Sequence, residues 1–231
     1  MTNLFEADLQ DITRLILVRH GKTKANKEAR IGSLADIAIN KEGEEQAEKL
    51  ADRLKTMRPD VLYTSPLLRT RQTAQYIANA TRLAPINDKD LREFDFGLIA
   101  NKKMSDVEAE LPEFHKKMVD WLNNPQGPTV NRPSVPGGET IMSFYDRIER
   151  FSKKILDKHP SKIVVAVMHM ATIKGFMSYH FGPPMEGHMN FNAFNASINI
   201  IDFFKGMPVL TAFNDICHLQ GEYTFGRVNL L

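Results

Sequence analysis

The chain reads as an α/β protein: a three-layer α/β/α sandwich around a mostly parallel sheet, with a small helical cap. Three observations predict this. Short apolar runs rich in Val and Ile, such as Leu15-Ile16-Leu17-Val18, stop abruptly at polar turns, as strands buried on both faces do. Longer segments place apolar residues three and four apart, the spacing of a helix with one buried face. The two patterns alternate, and alternation of strand with helix puts helices on both sides of one sheet.

In chain order, Leu15-Ile16-Leu17-Val18 is the first strand, ended by Arg19-His20-Gly21. Asn40 is a suitable N-cap for a helix over about 41–56, whose Ala47, Leu50, Ala51 and Leu54 fall at helical spacing. Val61-Leu62-Tyr63-Thr64 is a second strand. Ser65-Pro66 then reads as N-cap and first-turn proline of a helix that carries Ala74, Ile77 and Ala78 inward. Ile141, Phe144, Ile148, Phe151 and Ile155 form the clearest helical stripe, and residues 162–168 the clearest buried strand, running straight into His169. Two last strands, 198–204 and 209–213, close the sheet across a turn-like Lys205-Gly206-Met207-Pro208. The stretch 123–138 turns to Pro, Gly and Asn. It reads as a loop at the edge of a helical cap spanning about 100–135, within a single domain covering residues 1–231.

Composition narrows the class. The 231 residues are 42% hydrophobic and 25% charged, which suits a globular chain and not a disordered one. Lys plus Arg is 30 against 28 acidic residues, a net charge of +2, so a nucleic-acid partner is not expected. No apolar run approaches the ~20 residues of a membrane span, so no membrane partner is expected either. Residues 1–14 contain Glu6, Asp8 and Asp11 and do not resemble a signal peptide, and the single Cys217 suits a reducing compartment. The expected location is cytoplasmic, and the expected assembly a homodimer through an edge strand.

Two strand ends deliver a histidine where open α/β sheets bind ligands, beyond the carboxyl end of a strand: Val18-Arg19-His20-Gly21 and Met168-His169-Met170. Around them Arg19-His20-Gly21-Lys22-Thr23 resembles the RHG signature of the histidine phosphatase superfamily, also called the phosphoglycerate mutase-like family. Further blocks follow in that family's order. Thr64-Ser65-Pro66-Leu67-Leu68-Arg69 is similar to its second arginine block and Leu91-Arg92-Glu93-Phe94 to its acid-bearing block. Pro136-Gly137-Gly138-Glu139-Thr140 is similar to the turn before its long helix, and Val167-Met168-His169 to its second histidine. The resemblance covers roughly residues 13–204.

The resemblance implies a metal-independent phosphomonoesterase, with no cofactor, acting on a phosphorylated small molecule. His20 is then the nucleophile, its ring oriented by a backbone carbonyl near Gly21. Glu93 is the general acid, with Asp90 and Asp95 as neighbouring alternatives. Arg19, Arg69 and His169 hold the phosphoryl group, Gly21 leaves room beside it, and Thr23 and Asn26 make polar contacts to phosphate or substrate. The residue types suit the chemistry: charge spread over three phosphoryl oxygens needs fixed cationic forks, and neutral imidazole is a competent nucleophile near pH 7.

The chain departs from the pattern in three places. Lys22 stands where Glu or Gln is common, and with Lys24, Lys27 and Arg30 it makes the following loop basic. Met170 stands where Gly is common and brings an apolar side chain to the pocket floor, and Leu98-Ile99-Ala100-Asn101 replaces an aromatic-Glu-Gly element. Arg71 reads as a helix-surface residue. His180, Glu186 and His188 lack a common zinc spacing, and His115, His159 and His218 stand in polar surroundings without evident partners. The alternatives to a phosphatase are a phosphoglycerate mutase, disfavoured by the short cap, and a non-catalytic phosphate-binding module, disfavoured because a binder needs neither nucleophile nor acid.

Overall fold

Alternate side chains of the first strand, β1 (Ile12–Arg19), enter two different cores, which is how a strand with period-two geometry builds a three-layer molecule. Leu15 and Leu17 join one apolar cluster, and Ile16 and Val18 join the other. All four are fully buried, the consequence of a run with no polar residue on either face. The computed structural model describes residues 11–123, 132–182 and 191–219.

After β1 come a short helix α1 (Lys24–Lys27) and α2 (Lys41–Thr56), then β2 (Val61–Thr64), α3 (Leu68–Thr81) and a three-residue β3 (Pro85–Asn87). The region from 100 onward holds α4 (Met104–Glu110) and α5 (Pro112–Leu122), and part of the expected loop, 124–131, lies outside the described residues. Then follow α6 (Ile141–Lys158), β4 (Ile163–Met168), α7 (Met170–Phe181) and the pair β5 (Ile198–Phe204) and β6 (Met207–Asp215). The sheet order is β3-β2-β4-β1-β5-β6. β3, β2, β4 and β1 run parallel, and β5 and β6 are antiparallel additions beside β1.

One face of the sheet is covered by α2 and α3 through Leu50, Leu54, Ala74 and Ile77; the other by α6 and α7 through Phe144, Ile148, Phe151 and Phe176. Asn40 caps α2, its side chain accepting from the Gly43 amide at 2.9 Å. The stripe on α6 is buried along its length, each of its large side chains contributing about 1.5–3 kcal/mol relative to exposure. The periodicity of the sequence gives no sign of α7. It is apolar nearly all round, so it carries no stripe, and it is buried accordingly.

Two local expectations need correction. Ser65-Pro66 does not cap a helix: α3 begins at Leu68 with Leu67 as its N-cap residue, and the Ser65 hydroxyl is engaged with His169 instead. The turn between the last strands is only Lys205-Gly206, both at positive φ (49° and 82°), as a two-residue hairpin turn demands. β6 therefore starts at Met207 and takes in Pro208, which an edge strand tolerates because its missing amide need not join a ladder.

Candidate active site

β2, β4 and β1 are adjacent and parallel, so their carboxyl ends open onto one place, with β4 in the middle. Each end supplies a polar side chain: Ser65 after β2, His169 after β4 and His20 after β1. The His20 amide donates to Met168 O at 3.1 Å, which ties the turn after β1 to the end of β4. The His20 and His169 rings lie 5.3 Å apart, and both residues are buried.

The Nδ1 of His20 is 2.7 Å from Gly21 O. A carbonyl only accepts, so Nδ1 carries the hydrogen and Nε2 keeps its lone pair. Burial, then Arg69, then Arg19 hold the His20 pKa well below its ordinary value, with the Gly21 contact opposing them. The ring is thus neutral at pH 7. The His20 carbonyl is fixed from behind by Asn195 Nδ2 at 3.0 Å and by the Ala196 amide at 3.3 Å.

Arg69 donates through Nε to His169 Nδ1 at 3.2 Å, through Nη1 to Ala35 O at 2.7 Å and through Nη2 to Ser33 O at 2.7 Å. Three of a guanidinium's five N–H groups are so used, and two remain to meet a ligand. Burial is the main reason its pKa falls to about 10, so the group stays charged. Arg19, also buried, donates through Nη1 to Ala193 O at 2.6 Å and touches the Met170 sulfur at 3.5 Å.

His169 is the N-cap residue of α7 and fully buried. Its Nδ1 receives a hydrogen from Arg69, so its own hydrogen is on Nε2 and is donated to Ser65 Oγ at 2.9 Å. Burial and the neighbouring Arg69 keep its pKa well below the ordinary value. The ring's one N–H is thus committed to Ser65, and the expected contact of His169 with a phosphoryl group competes with that bond.

Glu93 lies at the start of α7. Its carboxylate accepts from the Phe94 amide at 3.0 Å and, in the first turn of α7, from the Ala171 amide at 3.4 Å. The alternatives face elsewhere: Asp90 pairs with Arg150 and Lys154, and Asp95 accepts from the Gly97 amide at 2.9 Å.

Gly21 is dictated by packing: a Cβ there would lie 2.4 Å from the Gly43 carbonyl oxygen of α2. Thr23 is the buried N-cap of α1. It exchanges hydrogen bonds with Asn26, its hydroxyl donating to Asn26 Oδ1 at 3.0 Å and accepting from the Asn26 amide at 3.1 Å. Asn26 Oδ1 also accepts from the Thr23 amide at 3.1 Å and from Asn195 Nδ2 at 3.2 Å, so the side-chain amide is held with Nδ2 turned away from these donors. Lys22 is paired with Glu42 at 2.6 Å and Arg30 with Glu28 at 3.0 Å, so the basic loop carries counter-charges of its own. Arg71 is exposed, as its place on the helix surface predicts.

Sequence reasoning missed Ser65 and Asn195. Ser65 resembles a helix cap; Asn195 opens an Asn-Ala-Ser triplet that matches a glycosylation pattern and gives no sign of a contact with His20. His159, expected to be alone, bonds the Tyr63 hydroxyl at 3.0 Å. Glu186 and His188 lie outside the described residues, among which no group of three His, Cys, Asp or Glu could hold a metal ion. No helix among them is long and apolar enough to cross a membrane.

Comparison with known proteins agrees with this fold. The chain is 30% identical over 212 residues to phosphoserine phosphatase 1 of Hydrogenobacter thermophilus, covering 92% of this chain and 96% of that one. It is 29% identical to phosphoglycerate mutase-like protein 4 of Arabidopsis thaliana, over 94% of this chain and 91% of the other. Among solved structures it is similar to a mutant phosphoserine phosphatase of Entamoeba histolytica in complex with phosphoserine. The TM-score is 0.75 at 27% identity, covering 89% of this chain and 98% of that one. A model of the histidine phosphatase superfamily (branch 1) matches residues 15–216. With its fold, its paired histidines and that match over most of its length, the chain belongs to the histidine phosphatase superfamily, branch 1.

Proposed function

We propose that this protein hydrolyses a soluble small-molecule phosphomonoester through a phosphohistidine at His20, with Glu93 as general acid and base. The observation that carries the reading is the His20 tautomer: Gly21 O takes the Nδ1 hydrogen and leaves the Nε2 lone pair beside two buried arginines. The Nε2 pair forms the bond to phosphorus while the ester P–O bond breaks, and the leaving alcohol takes a proton from Glu93. Arg19, the two remaining N–H groups of Arg69 and Asn26 Nδ2 hold the phosphoryl oxygens through the transfer. Water then attacks phosphorus, gives its proton to Glu93, and the P–N bond breaks to release phosphate and neutral His20. Thr23 acts through Asn26, and Met170 packs the Arg19 side chain into place. A small phosphorylated substrate and a chain with one cysteine suit a cytoplasmic enzyme.

The test is phosphate release from a panel of phosphomonoesters with EDTA present, for wild type and His20→Ala. Turnover that survives chelation and falls at least about a thousandfold in His20→Ala is expected. A folded wild type that releases no phosphate from any ester overturns the reading. Interconversion of 2- and 3-phosphoglycerate faster than phosphate release would make the protein a mutase.

A further inference from the structure

The proposed transfer needs two groups at a fixed separation: Arg69, which holds the phosphoryl group, and Glu93, which meets the ester oxygen on the same phosphorus. A displacement of about 1 Å between such groups can cost on the order of 100-fold in rate. Arg69 stands on α3, but Glu93 stands in the irregular stretch that follows a single 3₁₀ turn, Lys89–Leu91. No strand ladder or helix fixes the backbone there, so side chains must hold it.

Ser33 bonds both parts. It lies between α1 and α2 and is only 1% exposed. Its carbonyl accepts from Arg69 Nη2 at 2.7 Å, and its hydroxyl accepts from the Phe96 amide at 2.8 Å. The hydroxyl hydrogen is within reach of Phe94 O at 3.4 Å and Asp95 Oδ1 at 3.5 Å. The same segment is anchored to α3 twice more, Ala35 O accepting from Arg69 Nη1 and Asp36 Oδ1 from the Leu68 amide, each at 2.7 Å. On the other side of the acid block, Arg147 of α6 donates to Asp90 O at 2.7 Å and Glu93 O at 3.2 Å, and Thr172 of α7 donates to Arg92 O at 2.7 Å. The stretch 90–96 is thus gripped by α6 and α7 up to Glu93 and by Ser33 beyond it.

The backbone of Ser33 shows which of its two contacts explains the residue type. Its φ is 46°, in the left-handed region that a residue with a Cβ adopts only at a cost. Glycine would sit there without strain and would offer Arg69 the same carbonyl. What glycine lacks is the hydroxyl, the group that reaches Phe94 and Phe96. We propose that Ser33 is a positioning residue, whose hydroxyl sets the acid block at the distance from the Arg69 guanidinium at which Glu93 meets the leaving oxygen. The proposal rests on the phosphatase reading above and adds to it a residue that acts only through Glu93.

The experiment reads how far each variant depends on the leaving group. kcat/KM is measured for p-nitrophenyl phosphate and for phenyl phosphate, two esters of similar shape. p-Nitrophenolate is a stabilised anion that departs with little help, whereas phenol departs far better once its oxygen is protonated. kcat/KM covers only the steps up to that departure, so hydrolysis of the phosphohistidine does not enter. Glu93→Gln removes the acid and should raise the ratio of the two values about 100-fold over wild type. Ser33→Gly keeps the carbonyl, relieves the strain and should raise the ratio about 10-fold. Ser33→Ala keeps the strain, should raise the ratio as much, and replaces the glycine variant where that one does not fold. A hydroxyl that serves folding alone would, when lost, slow both esters alike and leave the ratio at its wild-type value. That result overturns the proposal, as does a Ser33→Gly enzyme equal to wild type on both esters. An unchanged ratio in Glu93→Gln also overturns it, because there would then be no acid to position. A wild type that hydrolyses neither ester removes the phosphatase reading, and the proposal falls with it.

Discussion

Lowering the pH from 6 to 5 should destabilise this protein far more than its carboxylates can explain. His20 and His169 are buried beside Arg69 with pKa values well below the ordinary one, and burial takes His180 to about 4, where its Nε2 meets Ser152 Oγ at 3.1 Å. The direction follows from linkage. All three are bases whose folded pKa is depressed, so folding selects the neutral form. Their stabilisation is complete above the unfolded pKa and is lost as pH falls below it, because only the unfolded chain takes up the proton. With an unfolded pKa of about 6.5, the interval from pH 6 to pH 5 removes about 1.2 kcal/mol for a ring that stays neutral throughout, as His180 does with its pKa of about 4; His20 and His169 act in the same direction, with about 3.6 kcal/mol as the ceiling for three. That is a large share of a typical domain stability of roughly 5–15 kcal/mol. Asp60, Asp202 and Asp215, whose pKa values are also lowered, act in a more acidic window, below the ordinary aspartate range. The assay is urea unfolding at both pH values, in buffers free of phosphate, since an anion in the site would raise the pKa of His20 and His169. His180→Gln can keep a hydrogen bond to Ser152 and should shrink the loss by about 1.2 kcal/mol. A total loss below about 1 kcal/mol in the wild type would refute the argument that these rings are held neutral.

Two further outcomes follow from contacts at the site. Gly21→Ala places a methyl group 2.4 Å from the Gly43 carbonyl, backbone against backbone, and should lower stability by about 1–3 kcal/mol in thermal or urea unfolding. An unchanged melting temperature would show that the turn can move away. Ser65→Ala strips the acceptor from the buried Nε2–H of His169 and should cost about 1–3 kcal/mol, with kcat falling more than KM rises. An equal loss through KM alone would mean that the His169 orientation matters only for binding.

The strands and the helices with stripes are legible because burial on two faces or one face writes a period into the residues. α7 is not, since a helix buried all round has no period to show. Thr64-Ser65-Pro66 illustrates a different loss: the same three residues satisfy a helix-capping pattern and a histidine-binding one. Only the placement of β2 beside β4 decides between them. Arg69 stands out in the sequence as a candidate phosphate ligand, but not as the clamp on Ser33 and Ala35, since those carbonyls are backbone and carry no residue signature.

The strand order has a consequence for how the protein comes into being. β1 finds its partners late: Arg14 pairs with Ile163 and Val18 with Ile198. A chain emerging from the ribosome therefore presents a strand with the apolar run Leu15–Val18 and two open edges for about 150 residues before β4 exists to cover one of them. Closing a loop of that length in a single step makes folding slow for the size of the chain. Because β4 is also the strand that carries His169 between Ser65 and His20, the insertion that buries β1 is the event that assembles the site. The step that removes the risk of aggregation is thus the step that brings Ser65, His169 and His20 together.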